Sequence, residues 1–172
     1  MEKASKKIAF IIAPENFRDE EYFQPKVILQ AKGIHIDTAA KNNPDEVTGS
    51  QGGKARPDIK LSSVTPQNYD GVVFVGGSGA QVYFEDEEIH QIARDFDKAE
   101  KIIAAICIAP SILANAGLLK GHKATAFKSQ LGNLKKKGVN VVDEDVVTDG
   151  RYITANGPEV ALAFGTQISK SL

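Results

Sequence analysis

Cys107 is the only cysteine in the 172-residue chain, and it stands at the end of the apolar run Ile102-Ile103-Ala104-Ala105-Ile106. The next dozen residues, beginning Ile108-Ala109-Pro110-Ser111-Ile112-Leu113-Ala114-Asn115-Ala116-Gly117, read as a helix, so the thiol is expected in a sharp strand-to-helix turn. A thiol there faces unpaired backbone N–H groups and the positive end of a helix dipole, both of which favour the reactive thiolate. A lone cysteine is equally at home as a small buried hydrophobe. Its neighbours decide between the two.

Two other segments carry groups that a reactive thiol would use. Gly76-Gly77-Ser78-Gly79 closes the apolar run Val72-Val73-Phe74-Val75, and a glycine pair at a strand end supplies N–H donors with no side chain in the way, as an oxyanion site requires. No Gly-Lys-Ser/Thr follows, and the spacing does not match a dinucleotide fingerprint. The loop after the first apolar run holds Glu15, Arg18, Asp19, Glu20 and Glu21. An ionised carboxylate beside Cys107 would oppose thiolate formation, whereas a protonated one would stabilise it by donating a hydrogen bond and could shuttle protons. Asp19 and Glu20 are read as complements to a helix dipole. Glu21, next to the apolar face, is the candidate partner of the thiol.

These groups converge if strands and helices alternate in an open parallel sheet, because ligands bind beyond the carboxyl ends of such strands. Residues 7–13 form a first, central strand closed by Pro14, and residues 20–32 a helix stopped by Gly33, with Tyr22, Phe23, Val27, Ile28 and Ala31 at helical spacing and Pro25 within its first two turns. Residues 34–39 alternate like a strand near the sheet edge, with His35 outward. Residues 42–60 are a loop or a pair of short hairpin strands. Residues 85–100 are an amphipathic helix with Ile89, Ile92, Ala93 and Phe96 inward and His90 exposed. Residues 123–127 and 138–142 read as short strands, residues 146–155 as a hairpin around Asp149-Gly150, and residues 159–169 as a final helix. The class is α/β, and one domain spans residues 1–172.

Twenty-one basic against 22 acidic side chains leave a net charge of −1, which gives no field for nucleic acid or an anionic membrane. Lys135-Lys136-Lys137 is read as a solvated helix end. No apolar stretch reaches the roughly 18 residues that span a bilayer. A single cysteine and the lack of a signal-peptide core point to the reducing cytoplasm.

Successive blocks of the chain resemble the ThiJ/PfpI superfamily. They are residues 7–13, Phe17-Arg18-Asp19-Glu20-Glu21 with Pro25 four positions on, Tyr69-Asp70-Gly71-Val72-Val73-Phe74-Val75-Gly76-Gly77, Ala105-Ile106-Cys107-Ile108-Ala109-Pro110, and Asp149-Gly150 to Asn156-Gly157-Pro158. The resemblance implies a three-layer flavodoxin-like sandwich with a mainly parallel central sheet, of the class I glutamine amidotransferase-like type, in a homodimer or larger homo-oligomer. It implies that Cys107 is the reactive cysteine, Glu21 its carboxylic acid partner, and the amides of Gly77 and Ile108 the oxyanion donors, with Gly76, Arg18, Phe127 and Asn156 as candidate pocket residues and neither metal nor cofactor. Two departures stand out. PfpI-like members carry histidine directly after the cysteine, where this chain has Ile108, and DJ-one-like members carry one in the strand after the elbow helix, where this chain has Phe127. His122 lies before that strand and is not expected at the site.

The leading expectation is a cysteine-dependent enzyme acting on small reactive carbonyls, glyoxalase- or deglycase-like, through Cys107 and Glu21. A non-enzymatic protein that senses an oxidant at Cys107 would use the same pocket. A PfpI-type peptidase or amidase fits least, because Ile108 can neither deprotonate a thiol nor protonate a leaving amine.

Overall fold

The computed structural model describes residues 4–172. Six strands, β1 (Lys7–Ile11), β2 (His35–Ala39), β5 (Gly71–Phe74), β6 (Ile102–Ile106), β9 (Val146–Asp149) and β10 (Tyr152–Ala155), form a sheet in the order β2-β1-β5-β6-β10-β9. All neighbours run parallel except β9, which pairs antiparallel with β10 as the second arm of a hairpin. The fold is thus the α/β sandwich with a mainly parallel sheet that the alternation predicts. β1 lies inside the sheet and β2 at its edge, which explains why the first is apolar from Ile8 to Ile11 and the second alternates.

Successive side chains point to opposite faces. Ala9, Ile11, Val72, Phe74, Ile103 and Ala105 join the core under α2 (Glu87–Lys98), α3 (Pro110–Asn115) and α4 (Leu131–Lys136), while Ile8, Phe10, Val73, Ala104 and Ile106 join the core under α1 (Asp19–Ala31) and α5 (Ala161–Ser171). The two arms β3 (Val47–Thr48) and β4 (Lys54–Ala55) make the hairpin expected within residues 42–60.

Several expectations are corrected. Val27 is 62% exposed and Ala31 is also exposed, because α1 turns Glu21, Pro25 and Leu29 inward beside the expected Tyr22. Gly165 of α5 sits against Pro25 and Ile28, which brings the two helices into close contact and fixes that rotation. His90 is only 4% exposed: its Nε2 lies 2.8 Å from the Phe84 carbonyl, a tertiary partner that satisfies the ring inside the protein. Strand β7 covers only Lys123–Ala124, paired with β8 (Asn140–Val141), because the next donors turn elsewhere. Thr125 N–H donates to Thr154 Oγ1 at 3.0 Å and Phe127 N–H to the Cys107 carbonyl at 2.7 Å. The helix after Cys107 is six residues long, ending before Gly117 at φ +85°.

Candidate functional site

Cys107 occupies the corner between β6 and α3 with φ +63°, a left-handed conformation that L-residues adopt only when the surroundings impose it. Both of its backbone groups are held. Its N–H donates to the Ala155 carbonyl at the end of β10 at 2.9 Å, and its carbonyl accepts from Phe127 N–H. The residue is buried at 8% exposure, within the core cluster under α1 and α5.

Glu21, in the first turn of α1, is fully buried and lies against the thiol. Gly76 separates them: a Cβ on Gly76 would come within 2.5 Å of Glu21 Oε1 and 2.8 Å of Cys107 Cβ. Neither carboxyl oxygen has a hydrogen-bond partner of good geometry among the described residues. Burial therefore pushes the Glu21 carboxyl up from its ordinary 4.5 to about 8, despite opposing pulls from the Cys107 contact and the Arg18 charge.

The expectation that a helix N-terminus favours the thiolate is corrected. Burial and the Glu21 carboxyl push the Cys107 thiol upward, and the backbone N–H groups of Gly77 and Ile108 pull the other way without prevailing. α3 is too short to build a strong dipole, so local amides supply what stabilisation there is. With Glu21 protonated its Coulombic opposition disappears, and the carboxyl becomes a donor to the sulfur.

Arg18 stands at the rim of the same corner. Its N–H donates to the Gly76 carbonyl at 3.0 Å, and its carbonyl accepts from Glu21 N–H at 3.1 Å. Phe127 and Asn156 lie on the other side, where they line a cleft of about 670 Å³ with Lys128, Asp143 and Glu159. Cys107 does not line this cleft, but two of its walls begin at residues bonded to or adjacent to partners of the Cys107 backbone. The pocket candidates thus divide into two flanks, Gly76 and Arg18 on one and Phe127 and Asn156 on the other.

No histidine joins them. His35 pairs with Asp37, His90 is held by Phe84, and His122 lies 3.5 Å from Asp149 with its ring against Tyr152, at the end of β10 remote from Ala155. Sequence reasoning missed Asp19, whose two carboxylate oxygens accept from Gln51 N–H at 2.9 Å and Gly53 N–H at 2.6 Å, anchoring the β3–β4 hairpin beside the start of α1. Glu20 likewise does more than face a dipole, since it binds the Arg18 guanidinium. The signal for Asp19 was the glycine run itself: a Cβ on Gly49 or Gly53 would collide with that carboxylate.

The DJ-1/PfpI family model matches residues 6–171. The chain belongs to the DJ-1/PfpI family. An uncharacterised protein of Methanocaldococcus jannaschii is 35% identical over 169 residues, covering 96% of this chain and 82% of that relative. The solved ThiJ/PfpI domain protein of Brachyspira murdochii superposes with a TM-score of 0.94 at 29% identity, covering 99% of both chains. Drosophila melanogaster DJ-1beta gives 0.90 at 31% identity, covering 98% of this chain and 90% of that one. This DJ-1/PfpI member thus shares a mainly parallel six-stranded sheet with its relatives. No helix among the described residues is long and apolar enough to cross a membrane.

Proposed function

We propose that the protein is a metal- and cofactor-independent enzyme that converts small α-oxoaldehydes to hydroxy acids, with Cys107 as nucleophile and Glu21 as the proton-transferring group. The observation that carries this reading is a fully buried carboxyl with no good partner, set against a thiol at which two backbone N–H groups point. The Cys107 S–H adds across the aldehyde C=O: the C–S bond forms and the proton ends on the new hydroxyl oxygen. Gly77 and Ile108 N–H hold the negative charge that develops there. Ionised Glu21 then takes the hydrogen on that carbon as a proton and returns it to the neighbouring carbon, while the hydroxyl proton passes to the neighbouring oxygen, so one carbon is oxidised as the other is reduced. Water cleaves the resulting thioester, releasing the hydroxy acid and restoring the thiol. A base titrating at about 8 suits this duty near neutral pH.

Lactate production from methylglyoxal by the purified chain tests the reading. Activity is expected in the wild type and absent in Cys107→Ser and Glu21→Gln. Equal lactate from all three overturns it. A second reading, oxidation of Cys107 to a sulfinate, draws support from the same unpartnered carboxyl, which when protonated donates to such an anion. Gain of two oxygen atoms at Cys107 under mild peroxide, without lactate formation by the unoxidised protein, would favour it. The proposal includes a homo-oligomer, supported by exposed Val27 and Leu162 on the packed pair α1 and α5; a monomeric mass in sedimentation would remove that part.

A further inference from the structure

We infer that Arg18 makes the site selective for α-oxoaldehydes that carry a negative charge, binding a substrate carboxylate through the free end of its guanidinium. The inference rests on Cys107 being the reacting group. Main-chain bonds fix Arg18 beside the reacting pair, since its N–H donates to the Gly76 carbonyl and its carbonyl accepts from Glu21 N–H. Gly77, at φ +98°, packs so closely on the Arg18 backbone that any Cβ would collide with Arg18 N. The residue cannot drift from the corner.

The side chain is 36% exposed, so it meets solvent, and its charge acts on both Glu21 and Cys107. A guanidinium offers two edges for bidentate binding, one made by Nε and one terminal nitrogen and the other by both terminal nitrogens. Glu20 occupies the first, accepting from Nε at 2.7 Å and from Nη2 at 3.3 Å. Nη1 has no hydrogen-bond partner among the described residues, and the Nη1–Nη2 edge is open. Glu20 thereby sets the plane of the guanidinium while leaving a fork for an incoming carboxylate. The half-exposed Glu20 ion pair is of the kind that contributes little to stability, so it can share Arg18 without great loss. Below about pH 8 Glu21 is mostly uncharged, which lessens the repulsion of an anion arriving beside it.

The test separates electrostatics from turnover. Alkylation of Cys107 by anionic iodoacetate and by neutral iodoacetamide is followed by mass at pH 7.5, and the ratio of the two rates cancels changes in accessibility. Arg18→Gln should lower the iodoacetate-to-iodoacetamide ratio by about fivefold, the scale of one charge ~4 Å away at the dielectric of bulk water. Glu20→Gln should raise the ratio, and Arg18→Lys should keep it near the wild-type value. In turnover, the kcat/KM of γ,δ-dioxovalerate relative to that of methylglyoxal should fall in Arg18→Gln and, lacking the fork, in Arg18→Lys. An unchanged ratio in Arg18→Gln overturns the selectivity while leaving Cys107 as the nucleophile. Failure of both reagents to modify wild-type Cys107 overturns the nucleophile and this inference together.

Discussion

Replacing Glu21 by glutamine should change how stability depends on pH. The folded protein holds the Glu21 proton up to about pH 8, whereas the unfolded chain releases it near 4.5. Below 4.5 both states are protonated and the carboxyl has no effect on the balance. Between 4.5 and about 8 the folded state binds a proton that the unfolded state has lost, so stability falls as pH rises and levels off above 8. The slope is about 1.4 kcal/mol per pH unit, and across the window the loss approaches about 5 kcal/mol, a large part of an ordinary domain's total stability. Water entering the pocket as Glu21 ionises reduces that figure. Glutamine is isosteric and does not titrate, so the wild type minus Glu21→Gln difference in unfolding free energy isolates this one group. Urea melts of both proteins at pH 5, 6, 7 and 8 should show the wild type losing ground to the variant at each step. Parallel curves across that range would refute a buried neutral carboxyl, and with it the proton-transfer role built on it.

Turnover should move the opposite way, because the proposed proton transfer needs the ionised carboxylate: kcat/KM for methylglyoxal is expected to rise with pH through an inflection near 8, and a flat profile between pH 6 and 9 would exclude Glu21 as the base. Gly76→Ala forces a methyl between Glu21 Oε1 and Cys107 Cβ and against the Ile106 carbonyl, which should cost about 1–3 kcal/mol in urea melts and slow Cys107 alkylation. Asp19→Ala leaves the Gln51 and Gly53 amides without their acceptor, so their hydrogen exchange should quicken by an order of magnitude or more, from the ~1–3 kcal/mol cost of losing charged-group hydrogen bonds. Thr154→Val removes the acceptor of buried Thr125 N–H and should destabilise by about 1–3 kcal/mol, measured by thermal melting.

The sheet and the corner were readable because apolar runs ending in glycine or cysteine signal strand ends locally, and Glu21 was readable because it adjoins an apolar stripe. The rotation of α1 was not. Its inward face is built from Glu21, Tyr22, Pro25 and Leu29, and although the last three stand at helical spacing, Phe23, Val27, Ile28 and Ala31 offer a competing stripe that only the packing of α5 on Pro25 decides against. His90 was misplaced for a similar reason: the partner that satisfies it is the carbonyl of Phe84, which precedes the helix and is also bonded by Asn115. The length of α3 escaped because Ala114 and Ala116 are good helix residues, while Gly117 at positive φ closes the segment. Hydrogen-bond partners distant in sequence, such as Thr154 for Thr125, truncate a strand that propensity alone would extend.

The hold that Ala155 and Phe127 exert on the Cys107 backbone has a temporal side. A ribosome exposes Cys107 long before it makes Ala155, and until that last parallel strand docks nothing compels the left-handed bend at the sulfur-bearing residue. The newborn chain therefore carries an ordinary thiol. The bend at Cys107 is thus a property of the assembled sheet, acquired once β10 pairs with β6.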